Sequence, residues 1–352
     1  LSPLNNTKEA MFKVARKVVL AMLLVATLLI PAMAQAAGPP PLPKASNGAK
    51  VTRFATGVPV PTQVAFSGRN AFVAGATEGP FKGGLFVVKP GSKKAVKVPG
   101  TVKGAFGIAA RKGKVFVSSG RKIVAFARFD GKRFRARKVI FAGPKNFTGF
   151  SGLAIGPNGR LYAGVSLNQK HDHTADPSLY GNSVVSMGLA GKNVKVVATG
   201  LRQPWMMTFA PGVRDPFVSV LGPDTPVNNG APDLIVKARP GSDFGFPECD
   251  WLIEDECDGL AEPLVRLEAQ PGKKGSLNQQ SPMGIGAIGK RLYVALFSGT
   301  AKAGIQVMTM KTDGSGIKPF MTGFVAPVLS VATHKGYVYA GDLTGTIYKV
   351  KG

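Results

Sequence analysis

The sequence predicts an all-β protein folded as a six-bladed β-propeller. Two short apolar segments joined by a turn recur six times, and long amphipathic stretches with helical periodicity are absent. The second segment of each pair carries an aromatic residue, at Phe72, Phe116, Tyr162, Phe217, Tyr293 and Tyr339. The intervals between them are 44, 46, 55, 76 and 46 residues. A period of about 45 residues with several short strands per repeat is typical of propeller blades.

Each repeat also contains a third apolar segment, which we expect to pair with the second. The six segments are 84–88, 122–126, 183–187, 233–237, 305–309 and 346–350. The two longest intervals between the aromatic residues predict insertions at 222–232 and 247–281.

Both ends of the predicted domain leave one strand without a partner. Residues 51–55 have the composition of a strand but no preceding repeat, and the sixth repeat ends at Gly352 without an outer strand. Pairing 51–55 with 346–350 would close the ring and cover both edges. We therefore predict a single propeller domain over residues 51–352.

The N-terminal 37 residues have the pattern of a leader with a secretory signal peptide. A basic segment at 11–17 precedes an uncharged apolar run at 18–30, and small residues follow at 31–37. The apolar run is short for a membrane span, so an uncleaved anchor is the weaker alternative. We expect translation to start at Met11, a Pro-rich linker at 38–50, a secreted or periplasmic location, and no membrane span after cleavage.

The chain is strongly basic. It has 45 Lys and Arg against 19 Asp and Glu, a net charge of +26. Removing the four basic residues and one acidic residue of the leader leaves 41 basic and 18 acidic residues, a charge of +23. Such a charge attracts polyanions. The basic residues are dispersed along the sequence, which favours a solvated basic surface, and no motif of specific nucleic-acid binding accompanies them.

Two cysteines, Cys249 and Cys257, flank a seven-residue acidic segment in the second predicted insertion. In an exported protein a disulfide across a short loop is the expected state of such a pair. We therefore predict that the two cysteines are bonded and constrain the insertion.

One predicted loop after the second strand of the third blade is unusually rich in titratable side chains. His171 and His173 lie within nine residues of Asp172 and Asp176. Two imidazoles and two carboxylates so close together suit acid–base chemistry or a metal site. The alternative is a solvated polar loop.

The fourth repeat contributes two further segments to the same predicted face. Gly222, Pro223 and Asp224 follow its second strand, and carbonyl and carboxylate oxygens at such a turn would suit Ca²⁺. Arg202, Gln203 and Trp205 lie at the start of its first strand and offer a guanidinium, an amide and an indole. The alternatives are an ordinary turn and, for Trp205, packing in the core.

The sequence resembles the glucose/sorbosone dehydrogenase family, the soluble quinoprotein glucose dehydrogenase-like propellers. The matching segments, strongest over 150–247, are 152–162, 200–211, 220–224, 232–237, 240–247 and 340–342. The resemblance implies a secreted six-bladed propeller that uses pyrroloquinoline quinone (PQQ) and calcium to oxidise a small sugar or alcohol.

Carried over by position, the resemblance implies roles for four residues. Arg202 matches an arginine that contacts the quinone, and Gln203 replaces an asparagine beside it. Gly222 and Pro223 match the carbonyl pair that binds calcium.

Other positions of the family pattern are absent. The catalytic histidine of the family falls at 147–150, which here reads Phe-Thr-Gly-Phe. The paired arginines fall at 325–327, which reads Val-Ala-Pro, and a lysine near 297–299 is missing, although Lys302 is close. The quinone would thus lose much of its set of cationic partners.

Three functions follow from these residues. The first is a divergent PQQ-dependent sugar or alcohol dehydrogenase, with His171 or His173 as the base in place of the missing histidine. The second is a non-catalytic extracellular propeller that binds carbohydrate or a polyanion. The third is a lactonase-like propeller with a channel metal held by Asp and His.

Overall fold

The computed structural model confirms the predicted six-bladed propeller. It describes residues 40–223, 230–252, 257–271, 277–300 and 302–352. Within these ranges every regular element is a β-strand except one 3-10 turn at Gln169–His171. Residues 42–352 form one compact unit. The predicted leader and its cleavage sites lie outside the described residues.

The first three blades are antiparallel sheets whose strands follow one another in the sequence. Blade one consists of β3 (Pro61–Ser67), β4 (Asn70–Gly75), β5 (Gly84–Val88) and β6 (Val96–Lys97). Blade two consists of β7 (Ile108–Arg111), β8 (Lys114–Ser119), β9 (Lys122–Phe129) and β10 (Phe134–Ala142). Blade three consists of β11 (Phe150–Ile155), β12 (Leu161–Val165), β13 (Val184–Met187) and β14 (Lys195–Thr199), with β18 (Ser242–Asp243) added in parallel.

The last three blades take strands from more distant parts of the chain. Blade four consists of β15 (Gln203–Thr208), β16 (Phe217–Leu221), β17 (Asp233–Lys237) and β19 (Val265–Leu267). Blade five consists of β22 (Pro282–Ile288), β23 (Arg291–Thr300), β24 (Gly304–Lys311), β25 (Lys318–Thr322) and β1 (Lys44–Ala45). Blade six consists of β26 (Val328–His334), β27 (Tyr337–Asp342), β28 (Ile347–Lys351) and β2 (Thr52–Ala55).

The ring is closed by the N- and C-terminal strands, as the unpaired ends of the sequence predict. β2 pairs antiparallel with β28, with Thr52 opposite Lys349 and Ala55 opposite Ile347. The chain from β2 leads directly into the inner strand of blade one, so blades six and one are held together covalently. The strand β1, from the segment predicted as a linker, pairs with β25 of blade five.

The inner strands of neighbouring blades pack directly against one another. Hydroxyl groups in the blade interfaces donate to carbonyl oxygens of the next inner strand: Ser118 Oγ to the Ser151 oxygen at 2.9 Å, and Ser219 Oγ to the Met283 oxygen at 2.6 Å. Satisfied buried hydroxyls of this kind fix the relative position of two sheets that share no strand. Six apolar clusters fill the space between the blades.

The second predicted insertion packs on blade four and contains the predicted disulfide. Cys249 and Cys257 are bonded, with their Cα atoms 5.3 Å apart, and both are buried. They pack with Phe244 and Trp251, whose indole nitrogen donates to the Phe244 oxygen at 2.8 Å. A two-stranded ribbon follows in the same insertion, formed by β20 (Gln270–Pro271) and β21 (Leu277–Asn278).

Replacing both cysteines with serine is expected to lower the free energy of unfolding by about 2 kcal/mol, since a closed loop of this length removes about that much entropy from the unfolded chain. Chemical denaturation of the double variant, beside the wild type with and without reductant, measures the effect. Reduced wild type should match the variant. Equal stability of all three samples would show that the apolar packing around Trp251 holds the insertion without the bond.

No helix in the described residues is long and apolar enough to cross a membrane.

Candidate functional site

The three residues predicted to bind a cofactor, Arg202, Gln203 and Trp205, lie at the start of the inner strand of blade four. Arg202 directly precedes β15, and Gln203 is its first residue, opposite Leu221 at the end of β16. The Arg202 side chain is 3% exposed, and Gln203 is also buried. A guanidinium buried so deeply requires negative charge or several acceptors around it.

Asp172 supplies that charge. Its carboxylate forms an ion pair with Nη2 of Arg202, and its backbone oxygen accepts from Arg202 Nε at 3.2 Å. Arg202 Nη1 donates to the Leu221 oxygen at 3.3 Å. The loop between β12 and β13 therefore folds over the start of β15 and contributes a carboxylate to it.

The two histidines of this loop are placed differently. His173 Nε2 lies 2.8 Å from the second carboxylate oxygen of Asp172, so Asp172 bridges the imidazole and the guanidinium of Arg202. Nδ1 of His173 is enclosed and has no hydrogen-bond partner among the described residues. Nδ1 of His171 is 3.0 Å from the Thr174 hydroxyl, within its own loop. Of the two predicted bases, His173 is therefore the one connected to Arg202.

Hydrogen bonds hold the loop in this position. The Asn182 amide donates to the backbone oxygen of Arg202 at 3.2 Å and accepts from the backbone nitrogen of Asp176 at 2.7 Å. Asp176 in turn accepts from the backbone nitrogen of Asn168 at 3.1 Å. Asp176, predicted as a possible acid, base or metal ligand, thus organises the loop.

Two residues of the predicted calcium position form hydrogen bonds within the protein. The Gly222 backbone nitrogen donates to Asp233 at 3.0 Å, and the Pro223 oxygen accepts from the Gln279 amide at 2.7 Å. The third predicted ligand, Asp224, lies outside the described residues. Within the described ranges, no group of three or more His, Cys, Asp or Glu side chains is arranged to hold a metal.

Arg202, Gly222 and Pro223 line one small cavity, together with residues of the disulfide-bonded insertion. Its volume is about 20 Å³. A cavity of this size holds about one water molecule. The structure thus brings the predicted quinone-binding arginine together with two of the three predicted calcium ligands, Gly222 and Pro223.

Trp205 is half-buried, and its ring meets Phe106, which precedes the inner strand of blade two, edge-on at 4.7 Å between ring centres. Its indole nitrogen is buried and finds no hydrogen-bond acceptor among the described residues. Packing in the core thus explains the position of the ring, whereas the buried N–H group still lacks a hydrogen-bond acceptor.

The segment at which the resemblance places a catalytic histidine belongs to the core. Phe147 and Phe150 are each 2% exposed and pack edge-on at 4.8 Å. Phe141 contacts both rings at 5.8 and 5.0 Å. The one polar side chain at 147–150, the hydroxyl of Thr148, cannot serve as a general base. Among the predicted bases, His173 is the one whose loop lies beside Arg202.

Comparisons with known proteins agree with the fold. No protein-family model matches the sequence, and no curated protein matches it either. Among solved structures, the PQQ-bound aldose sugar dehydrogenase of Streptomyces coelicolor matches with a TM-score of 0.65 and 18% identity, over 89% of this chain and 99% of that one. A putative oxidoreductase (glucose dehydrogenase) of Thermus thermophilus matches with a TM-score of 0.64 and 18% identity, over 86% and 100%. The chain has the fold of the glucose and aldose sugar dehydrogenases.

Proteins named for other activities share this fold. A putative gluconolactonase matches with a TM-score of 0.55 and 11% identity, over 88% of this chain and 97% of that one. A shared fold at these identities leaves the chemistry to be argued from the site.

Three contacts of the site are not predicted by the sequence pattern. Asp172 bridges His173 to Arg202, Asp233 accepts from Gly222, and Gln279 donates to Pro223. The only sequence signal for Asp172 is its position between two histidines. No local pattern marks Gln279, which reaches Pro223 from a segment 56 residues away.

Proposed function

We propose that this chain is a secreted oxidoreductase of the sugar dehydrogenase type, acting on a hydroxyl group of a small sugar or alcohol. The observation that carries the proposal is the connection from His173 through Asp172 to the buried Arg202. A histidine oriented by a carboxylate is the usual arrangement of a general base, because the carboxylate fixes the ring and stabilises the imidazolium that forms.

The donor groups at the start of β15 suit an anionic quinone better than the described residues suit calcium. The cavity beside Arg202, with room for about one water molecule, must widen to admit a ligand of this size. PQQ is an anionic ligand rich in acceptor oxygens, and Arg202, Gln203 and Trp205 are all hydrogen-bond donors. The enclosed indole nitrogen of Trp205 has no acceptor among the described residues, as a site for such a ligand requires. In contrast, the Pro223 oxygen already accepts from Gln279, and the described residues contain no metal cluster.

In this proposal Arg202, Gln203 and Trp205 hold the quinone. When bound, PQQ supplies the acceptor for the hydride that leaves the carbon of the alcohol. His173 takes the hydroxyl proton at Nδ1, the nitrogen that does not face Asp172. Since that nitrogen is enclosed, a substrate hydroxyl reaches it only when the loop between β12 and β13 shifts. Asp172 keeps the ring oriented and balances the positive charge of the protonated imidazole.

Replacing Asp172 with asparagine is expected to separate quinone binding from turnover. Quinone affinity should stay equal or rise, because a competing carboxylate is removed from Arg202. Turnover should fall by about 100-fold or more, because His173 loses the group that orients it. Quenching of tryptophan fluorescence measures binding, and dye reduction with a panel of aldoses and alcohols measures turnover.

His171→Gln is the matched control, since His171 lies on the same loop but is bonded to Thr174. This control should leave binding and turnover unchanged, whereas His173→Gln should lower turnover alone. Arg202→Ala should weaken quinone binding. A wild-type protein that neither binds PQQ nor reduces the dye would contradict the proposal.

The second candidate is a non-catalytic propeller that binds carbohydrate. It is favoured by the carboxylate that the chain itself places on Arg202 and by the small volume of the cavity there. This function predicts that calorimetry detects sugar binding, whereas the fluorescence and dye assays detect neither quinone binding nor dye reduction.

A further inference from the structure

The rim of the propeller opposite the candidate site is formed by turns that carry many cations. These turns join the first to the second and the third to the fourth strand of each blade. Ten of them lie in the described residues outside the long insertion, and together we call them the hairpin face: 68–69, 89–95, 112–113, 130–133, 156–160, 188–194, 209–216, 289–290, 312–317 and 335–336. They contain twelve basic residues: Arg69, Lys89, Lys93, Lys94, Lys112, Lys132, Arg133, Arg160, Lys192, Arg214, Lys290 and Lys335.

The ten turns contain only three acidic residues, and each is already engaged. Asp130 lies 2.5 Å from Arg135 Nε, and Asp215 lies 4.0 Å from the Lys237 ammonium group. Asp313 accepts from the backbone nitrogen of Ser315 at 2.9 Å. The hairpin face therefore has a net charge of +9, and its cations are not neutralised locally.

The cations closest to the axis form a ring, because each of the six turns after an inner strand carries one. Five of them are exposed and make no ion pair with a described residue: Arg69, Lys112, Arg214, Lys290 and Lys335. The sixth, Arg160, is held by the Ser186 hydroxyl and by the backbone oxygens of Ser186 and Asn193. A ring of like charges with no structural partner costs self-repulsion, which a bound polyanion would relieve.

The central channel reaches this ring. A cavity of about 340 Å³ is lined by the inner strands of all six blades and extends to the last residue of three of them, at Ile155, Thr208 and His334. At its other end Gln63 crosses from blade one, donating to the Leu153 oxygen at 2.8 Å and accepting from the Ile108 nitrogen at 2.8 Å. Gln63 thus lines the end of the cavity that lies towards the rim of the candidate site.

Polar groups stand where the cavity meets the ring of cations. Thr208, Thr333 and His334 are among the lining residues. His334 stacks on Phe66 with 4.2 Å between ring centres, and burial, followed by Lys335 and Lys349, lowers its pKa. A neutral imidazole can both donate to and accept from a hydroxyl group.

We propose that the hairpin face binds an anionic polysaccharide, whose repeated charges contact the cation ring while one sugar unit enters the mouth of the channel. The four two-residue turns of the ring consist of one glycine and one cation each: 68–69, 112–113, 289–290 and 335–336. They offer no apolar side chain for insertion into a membrane, and the exposed Ile317 of the hairpin face lies in an outer turn, away from the ring. No aromatic side chain among the described residues is more than partly exposed, so the face offers no open aromatic surface on which nucleic-acid bases could stack.

The test uses polygalacturonate as the probe and compares two fourfold charge reversals with the same change in net charge. The first converts Arg69, Lys112, Lys290 and Lys335 to glutamate. The matched control converts four exposed cations of loops at the opposite rim to glutamate: Lys82, Lys103, Arg121 and Lys145. Binding is measured by calorimetry at several salt concentrations, with neutral dextran as the uncharged comparison.

We expect the hairpin-face variant to lose affinity for polygalacturonate by at least about tenfold, with a weaker dependence on salt, because fewer charges are paired in the complex. The control should stay within about threefold of the wild type. His334→Gln should weaken binding without changing the salt dependence, since it removes no charge.

Three results would overturn the proposal. An equal loss in both charge-reversal variants would show that net charge alone attracts the polymer. Tighter binding of duplex DNA, or of vesicles containing phosphatidylglycerol, would show that the face serves a different partner. Absence of polygalacturonate binding by the wild type at low salt would exclude the site.

Discussion

Replacing Gly284 with alanine is expected to destabilise the propeller by about 3 kcal/mol or more. Gly284 is the third residue of β22, the inner strand of blade five. A methyl group at this position would overlap the backbone of Ser330 and Val331 in the inner strand of blade six. The obstacle is backbone in a neighbouring sheet, so rotation of a side chain cannot remove it. Relief requires the two blades to separate, and the closed ring opposes that movement.

Urea denaturation of G284A, followed by circular dichroism, measures the loss. Gly188→Ala is the matched control, since a methyl group there meets only the Lys192 oxygen at 3.3 Å, in an outer turn. The control should remain within about 1 kcal/mol of the wild type. Similar stability of the two variants would show that the inner strands have room to adjust. If G284A fails to accumulate as folded protein, the milder interface variant Ser219→Ala, which removes the bond to Met283, provides the graded comparison.

The blades could be predicted from the sequence because their determinants are local. Each blade is built from neighbouring strands, so its apolar segments and turns recur in order along the chain. The aromatic residue of each second strand packs between two blades, as Phe72 and Phe116 do, and this requirement repeats with every blade. Ring closure was also predictable, because two strands without partners at opposite ends of one domain leave one way to cover both edges.

The contacts of the candidate site could be predicted only in part. The sequence indicates Arg202 and the histidine-rich loop separately, but the bond between Asp172 and Arg202 joins residues 30 positions apart. Its formation depends on the direction in which a long loop folds, which no periodicity determines. The sequence emphasises the histidines, whereas the structure gives the central position to the aspartate between them.

The concentration of charge on the hairpin face could not be predicted from the sequence either. Along the sequence its cations are separated by tens of residues, and this spacing favours a solvated basic surface. In the propeller, successive inner turns return to the same rim once per blade, so Arg69, Lys112 and Lys290 become members of one ring. A pattern that is dispersed in sequence becomes concentrated in space because the repeat length of the fold matches the spacing of the charges.

Asp342, at the end of β27 in blade six, is expected to make stability depend on pH. Its side chain is fully buried, and burial raises its pKa from 3.8 to about 6, although hydrogen bonds from Thr344 and Tyr348 oppose the shift. The Thr344 hydroxyl lies 2.5 Å from one carboxylate oxygen, and the Tyr348 hydroxyl lies 3.3 Å from the other. These contacts do not offset the cost of placing the charged form in the protein interior.

The sign of the effect follows from the direction of this pKa shift. Below about pH 4 the carboxyl group is protonated in both the folded and the unfolded state, so it does not make the free energy of unfolding depend on pH. Between about pH 4 and pH 6 the unfolded chain releases the proton while the folded protein retains it, so stability decreases as pH rises. Above about pH 6 the full penalty is present, and it amounts to about 3 kcal/mol.

Replacing Asp342 with asparagine is therefore expected to raise the free energy of unfolding by about 3 kcal/mol at pH 8 and to have little effect near pH 4. Asparagine keeps an acceptor for Thr344 and carries no charge. Denaturation curves at intervals between pH 4 and pH 8 measure the difference. Asp313→Asn is the control, because hydrogen bonds from Ser315 lower the pKa of that exposed carboxyl group, so its removal should give no gain at pH 8. A constant difference between D342N and the wild type across the whole range would show that the substitution acts through packing, and that Asp342 does not titrate in this window.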